Sequence, residues 1–434
     1  MSNNPVAGGL TAGSFDLLII GAGPGGYRAA EYAAKQGLQV AIIEQEEVGG
    51  TCLNRGCIPT KTYIHSTSFA EAVERQQQVV AQLRSGVEGI LHAPGITLLR
   101  GHAEFLSPTE CSVCGDSIAA STTVTAKNII IATGSSAKLL PLPDIDDSRL
   151  VTSTELLQMQ TLPKKLCIIG AGVIGMEFAS VFQRFGSEVT VLEYLKECLP
   201  MLDSDIAKRL RKLLEKRGIT FKMKTAVQSL VDIDADVILM ATGRKPNTDG
   251  LHLEAAGIVL PHVNTPIPVD DNMQVVPGIY AIGDVNGRQM LAHAAEMQAV
   301  RAVNNILGRT DGIRFDIMPS AIFTEPEAAC VGPSEDALKS ATTPEASASG
   351  YTCHKAFWRA NGKALAMNET EGMLKLFAAA DDGRILGCHA FGAHAADMVQ
   401  EVSALMCRNT TIVQLRDMVH IHPTFGEILR AAVE

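Results

Sequence analysis

The chain is short of basic residues: Lys and Arg number 37 against 47 Asp and Glu, for a formal net charge of −10. A field of that sign repels phosphate backbones and anionic lipid, so neither nucleic acid nor a membrane surface is an expected partner. No uninterrupted apolar run approaches the roughly 18 residues that a spanning helix needs. The opening MSNNPVAGGLTAGSFD lacks the basic and then apolar segments of a secretory leader. Ten cysteines in 434 residues are too few for a disulfide-stapled scaffold, and a reducing compartment would keep most of them as small core thiols. With 46% hydrophobic and 19% charged residues, a well-filled core is available and global disorder is excluded. The expectation is a soluble cytoplasmic protein of about three domains.

What is present is a repeat. Leu17 to Ile20 leads into GAGPGG, with Gly21, Gly23 and Gly26 at the turn, then alanines at helical spacing, then Val40 to Ile43 ending on Glu44. Far downstream, Leu166 to Ile169 leads into GAGVIG, with Gly170, Gly172 and Gly175, and Val189 to Leu192 ends on Glu193. In both copies the carboxylate stands 18 positions beyond the third glycine, and both later run an apolar strand into Ala-Thr-Gly. Bare glycines let a pyrophosphate approach the backbone, the helix start stabilises its charge, and the carboxylate accepts from ribose hydroxyls. The bland alternative, a tight strand-to-helix turn without a ligand, does not explain two copies in the same context. Two dinucleotides are expected.

Cys52 and Cys57 sit in GGTCLNRGCIPTK, a segment that turns helical and leads into a helix expected from about Thr60 to Leu91. Residues five apart in a regular helix differ by about 7.5 Å along its axis, too far for a disulfide, so a bridge requires a distorted first turn. Gly56 permits one and Pro59 removes an amide from it. From the residues alone the pair is a reducible disulfide, two buried thiols or half of a zinc site. His420-Ile-His422-Pro-Thr-Phe-Gly-Glu427 places a carboxylate where it can orient a histidine that takes a proton from a thiol, though it also reads as a capped helix start.

GGTCLNRGCIPTK, the two glycine turns, ATGRKPNT, AIGDV and HIHPTFGE, in this order, resemble the flavin-dependent pyridine nucleotide-disulfide oxidoreductases from Phe15 onward. The resemblance implies two tandem Rossmann-like domains and a C-terminal α+β dimerisation domain. Residues 1–145 with 265–312 would bind FAD, 146–264 would bind NAD, and 313–434 would form the interface. It places Gly21, Gly23, Gly26, Glu44, Thr51, Lys61, Gly101, Thr133, Gly134, Ser135, Asp284, Met290, Leu291, Ala292 and His293 at FAD. At NAD it places Gly170, Gly172, Gly175, Glu177, Glu193, Val227 and Gly243. Lys61 would pair with Glu177 beside the flavin. Cys52 would exchange with substrate, Cys57 would touch the flavin, and His422, oriented by Glu427, would serve Cys52 across a homodimer. The implied reaction is oxidation of dihydrolipoamide borne on an acyltransferase or carrier protein. Reduction of another disulfide is the alternative, and a non-catalytic flavoprotein subunit a more distant one.

Other features refine this. Glu193 followed by Tyr194-Leu195 would repel a 2′-phosphate, which favours NAD over NADP. The sequence runs RAAVE at its end, so a redox relay through terminal cysteines is not expected. The family's β-excursion is cut to Gln228–Asp236 after a strand expected over Phe221–Val227. Cys111 and Cys114 form a CxxC without a second pair, and no metal site is expected. Lys339 to Gly350 reads as a loop.

Overall fold

Apolar runs such as Leu17–Ile20 and Leu166–Ile169 show no polar alternation, as strands covered on both faces require. In the computed structural model, which describes residues 13–115, 122–340 and 350–434, both are central parallel strands. Most of the loop expected at 339–350 lies outside the described residues. The chain forms two compact units.

The first unit comprises 1–59, 75–137 and 244–313. Its main sheet runs in the order Gln274–Val276, Ile279–Ala281, Thr122–Ile131, Ser14–Ile20, Val40–Glu44, Ile96–Arg100. The antiparallel strands His102–Ser107 and Glu110–Cys114 join through the long Thr122–Ile131 strand. Helix Pro24–Lys35 begins with proline, whose missing N–H suits a first helical position, and buries Ala29, Ala30 and Ala33. Cys111 is buried, which pushes its thiol up to about 12, and Cys114 is exposed. This is the alternation of a strand.

The second unit comprises 60–74, 138–243 and 314–434. One five-stranded parallel sheet has the order Thr220–Met223, Glu188–Glu193, Lys165–Ile169, Val237–Met240, Leu150–Val151. A second sheet is antiparallel: Ser320–Ile322, Ala328–Val331, Ile385–Phe391, Met373–Ala379, Tyr351–Phe357. Helix Ala395–Cys407 and helix Glu427–Val433 pack against this sheet.

Two local expectations are corrected. The helix from Thr60 to Leu91 is two helices, Cys57–Ile64 and Phe69–Leu91. Glu71 accepts from the Thr67 N–H at 2.7 Å and its own N–H donates to Ser68 Oγ, a cap that starts the second helix afresh. The strand expected through Val227 stops at Met223. Lys224 takes a left-handed conformation (φ 55°), and the N–H groups of Lys224 and Thr225 turn to Leu195 O and Glu193 O. The segment beyond is held from outside: Asp144 accepts from Ser229 Oγ and the Leu230 and Val231 amides. The Arg149 guanidinium donates to the carbonyls of Leu230, Ile233 and Ala235. One cation thus satisfies three carbonyls that lie outside any strand.

A buried polar cluster joins elements of the second unit. Lys375 Nζ donates to Asp203 Oδ1 and Oδ2 at 2.7 and 2.8 Å and to Glu335 Oε2 at 2.5 Å. Asp203 also caps helix Ser204–Lys216, and its N–H donates to His389 Nδ1 at 2.9 Å. Burial brings His389 down from 6.5 to about 4. The folded state therefore keeps His389 neutral in a range where the unfolded chain takes up a proton. Stability from this group is complete above about pH 6.5 and falls by about 3 kcal/mol toward pH 4. Melting temperatures across that window check it. His389→Asn, which retains an acceptor for the Asp203 N–H, should flatten the decline, and an unchanged slope would contradict the assignment.

Candidate active site

The two glycine turns are built alike. Gly21 and Gly170 adopt φ +102° and +106°, accessible to glycine at little cost. A Cβ on Gly26 would lie 1.9 Å from Gly21 O, and one on Gly175 would lie 2.0 Å from Gly170 O. Helices Pro24–Lys35 and Val173–Phe185 start after Gly23 and Gly172 with no side-chain cap, so their first amides remain available to an anion. Glu44 accepts the Ala22 N–H at 2.7 Å and the Glu46 N–H at 2.9 Å. Glu193 accepts the Ala171 and Leu195 amides at 2.6 and 2.7 Å. Both carboxylates are buried and fixed beside their turns, with lone pairs remaining for ribose hydroxyls. These cradles fit one dinucleotide each.

Around the first cradle, Gly50 (φ +60°) presses on the Gly23 backbone and sets Thr51 beside the turn. Gly101 N–H donates to Glu44 O, and Thr133 Oγ1 donates to Asn247 O at 2.7 Å. Gly134 has φ +71°. Ser135 Oγ donates to Asp284, while Arg244 Nε donates to Ser135 Oγ at 2.7 Å and lies 3.6 Å from Asp284. Gln298 Oε1 accepts from the Gly283 N–H and Asn286 Nδ2, which fixes the turn holding Asp284. Met290 is exposed, Leu291 precedes helix Ala292–Ile306, and Ala292 and His293 open it. Arg244, Asn247 and Gln298 were not among the expected site residues. The first two stand in ATGRKPNT and were therefore visible as a motif, whereas Gln298 carries no signal.

The cysteines lie on either side of a helix break. Helix Gly50–Arg55 ends at Gly56 (φ −143°, ψ −113°) and helix Cys57–Ile64 begins. A Cβ on Gly56 would lie 2.9 Å from Thr51 O and 3.3 Å from Cys52 Cα, so the backbone beside Cys57 closes onto Cys52. This is the irregular turn that a 52–57 bridge requires. Cys52 is half-buried and Cys57 is exposed.

In the second unit Lys61 Nζ lies 2.9 and 3.0 Å from the two oxygens of buried Glu177, which also accepts the Phe323 N–H. Arg184 Nη2 donates to the carbonyls of Tyr63, Ile64 and Ser66 at 3.1, 2.6 and 3.1 Å and caps that helix end with positive charge. Helix Val173–Phe185, which opens at the second cradle, thus grips the segment after Thr60 at two points. Val227 is half-buried in the loop after Met223, and Gly243 (φ +114°) accepts the Lys138 N–H.

His422 is 79% exposed, and its Nδ1 lies 2.9 Å from Glu427 Oε1. Glu427 Oε2 accepts the Thr424 N–H, and this bond, with the one to His422, holds the carboxyl below the usual carboxylate range. With Nδ1 engaged by the carboxylate, Nε2 is the nitrogen directed outward for proton transfer. Cys52 and Cys57 belong to the first unit, His422 and Glu427 to the second. Among the described residues no helix is long and apolar enough to cross a membrane.

Residues 15–299 match the model of the pyridine nucleotide-disulphide oxidoreductases, and 318–433 match that family's dimerisation domain. A mitochondrial dihydrolipoyl dehydrogenase of Pisum sativum is 35% identical, over 96% of this chain and 90% of that one. A leghemoglobin reductase of Glycine max is also 35% identical, over 96% and 86%. The Cu(II) complex of an HOCl-induced flavoprotein disulfide reductase from Escherichia coli superposes with a TM-score of 0.90 at 30% identity, covering 97% and 99% of the two chains. The chain belongs to the pyridine nucleotide-disulphide oxidoreductases, as a homodimeric flavoprotein with a redox-active disulfide that uses FAD and NAD.

Proposed function

We propose that the protein oxidises protein-bound dihydrolipoamide to lipoamide, with NAD as the final acceptor. The observation that carries this reading is the combination of the cysteine pair at the Gly56 break with the exposed His422–Glu427 dyad. The names of relatives at 35 and 36% identity support it. Bound FAD supplies a two-electron path between the thiols and the nicotinamide. Cys52 exchanges with the substrate sulfur, Cys57 completes the pair on the flavin side, and Lys61 with Glu177 lines that site. His422 of the partner subunit accepts, at Nε2, the proton released as a substrate thiol attacks, and its carboxylate keeps the ring oriented.

The substrate dithiol loses two electrons and two protons. NAD takes two electrons and one proton, and one proton leaves to solvent. Glu193, already holding two backbone amides, disfavours a 2′-phosphate and supports NAD over NADP. The dithiol would be borne on a lipoyl-carrying acyltransferase or carrier protein in the cytoplasm. NADH-dependent reduction of another disulfide is the second reading, favoured by the likeness to the Escherichia coli disulfide reductase. Anaerobic turnover of dihydrolipoamide with NAD, compared with turnover of small disulfides with NADH, decides between them.

A further inference from the structure

His420 and His422 stand two residues apart, and each has its own carboxylate. His420 is only 9% exposed against 79% for His422, and it uses Nε2, 3.0 Å from Glu401 Oε1, where His422 uses Nδ1. Glu401 is mounted on helix Ala395–Cys407, which buries Met398, Val399, Val402 and Met406 in the core. Gly426, the residue before helix Glu427–Val433, lies against this pair. A Cβ there would fall 3.4 Å from His420 Cδ2 and 3.8 Å from Glu401 Oε2.

The same loop is tied further along. His394 stacks on Phe425 at 5.0 Å between centroids, and Asn361 Nδ2 donates to Thr424 O at 3.0 Å. These contacts border a cavity of about 530 Å³ whose charged or titratable lining is Lys363, His394, Asp397 and Glu401. Glu427 is a further charged neighbour of His420.

We propose that His420 and Glu401 act as one positioning unit for the His422–Glu427 dyad. The pair, covered on its His420 side, anchors the loop to helix Ala395–Cys407 and supports Gly426, so that Glu427 emerges at the height of His422 Nδ1. Glu427 opens a helix and is tied to the Thr424 amide, whereas His422 meets it from an exposed part of the loop. A displacement of roughly 1 Å in a proton-transferring group can cost up to about 100-fold in rate, which is why such a group needs a rigid support. The kinetic consequence rests on the dithiol oxidation proposed above, whereas the geometric claim does not.

The test uses the full-length, flavin-loaded dimer and the variants His420→Ala, His420→Gln, Glu401→Gln and the double variant His420→Ala/Glu401→Gln. Ring-labelled histidine NMR follows the His422 ring resonances, and kcat and KM for dihydrolipoamide are measured against pH. In His420→Ala the His422 ring resonances should shift and broaden, because a loosened Glu427 no longer holds the ring in one place. Its kcat should fall by about tenfold with KM little changed. His420→Gln, whose amide can still donate to Glu401, should restore most of both. The double variant should be no worse than His420→Ala within about twofold, as for residues acting as a unit. Unchanged His422 ring resonances in His420→Ala, or a double variant that multiplies the two single losses, overturn the proposal. If the unmodified protein does not oxidise dihydrolipoamide, the functional reading fails, and the His422 ring resonances still decide the positioning claim.

Discussion

Replacing His422 with alanine is expected to slow dihydrolipoamide oxidation by about 100- to 10,000-fold, the usual contribution of a positioned acid-base group. The expectation follows from the dyad's geometry. Glu427 stays ionised because the Thr424 amide and His422 both stabilise its charge, so the proton on Nδ1 is held and Nε2 is left to exchange protons with a thiol. Bleaching of the flavin absorbance by NADH should change little, since that half-reaction needs no thiol deprotonation. A His422→Ala protein mixed with Cys52→Ser under subunit exchange should regain part of the turnover, because one hybrid site keeps both groups. An intact rate in His422→Ala, or no recovery after proven exchange, would remove the base or the shared site from the account.

The second large effect concerns stability. Lys375→Met leaves buried Asp203 without its cation and Glu335 with Lys339 alone, and the expected loss is about 3–5 kcal/mol. Glu335 has its carboxyl drawn down to about 2, chiefly by the hydrogen bond from Lys375 and further by Lys339, so the larger part of the loss falls on Asp203. Chemical denaturation followed by fluorescence and circular dichroism reads the loss. Adding Asp203→Asn should recover part of it, since the uncompensated buried charge is then gone. A Lys375→Met protein as stable as the parent would show that the cluster relaxes into water.

The dinucleotide cradles were legible because everything that builds them is local. Strand, glycine turn, helix and carboxylate follow one another within about 30 residues, and the third glycine of each turn is required by its contact with the first. The Gly56 break was legible for the same reason: a 52–57 bridge and a regular helix are incompatible. What escaped depends on distant partners. Arg244 meets Ser135 and Asp284 only in the folded sheet, and nothing near Gln298 announces that it holds the Gly283 turn. The strand expected through Val227 ends at Met223, where Lys224 takes a left-handed conformation and Lys224 and Thr225 turn their N–H groups to Leu195 and Glu193, carbonyls distant in sequence. His420 and His422 look equivalent in sequence. Only the position of Glu401 on a packed helix makes one a support and leaves the other exposed.

The most direct measurement is anaerobic NADH formation from NAD and dihydrolipoamide, followed at 340 nm with the flavin-loaded protein and with a Cys52→Ser variant of equal flavin content. The account predicts steady NADH production by the unmodified protein, none above background by Cys52→Ser, and bleaching of the flavin by NADH in both. A flavin-loaded, NADH-reducible protein that forms no NADH from dihydrolipoamide, or a Cys52→Ser variant that forms it at the parental rate, would contradict it.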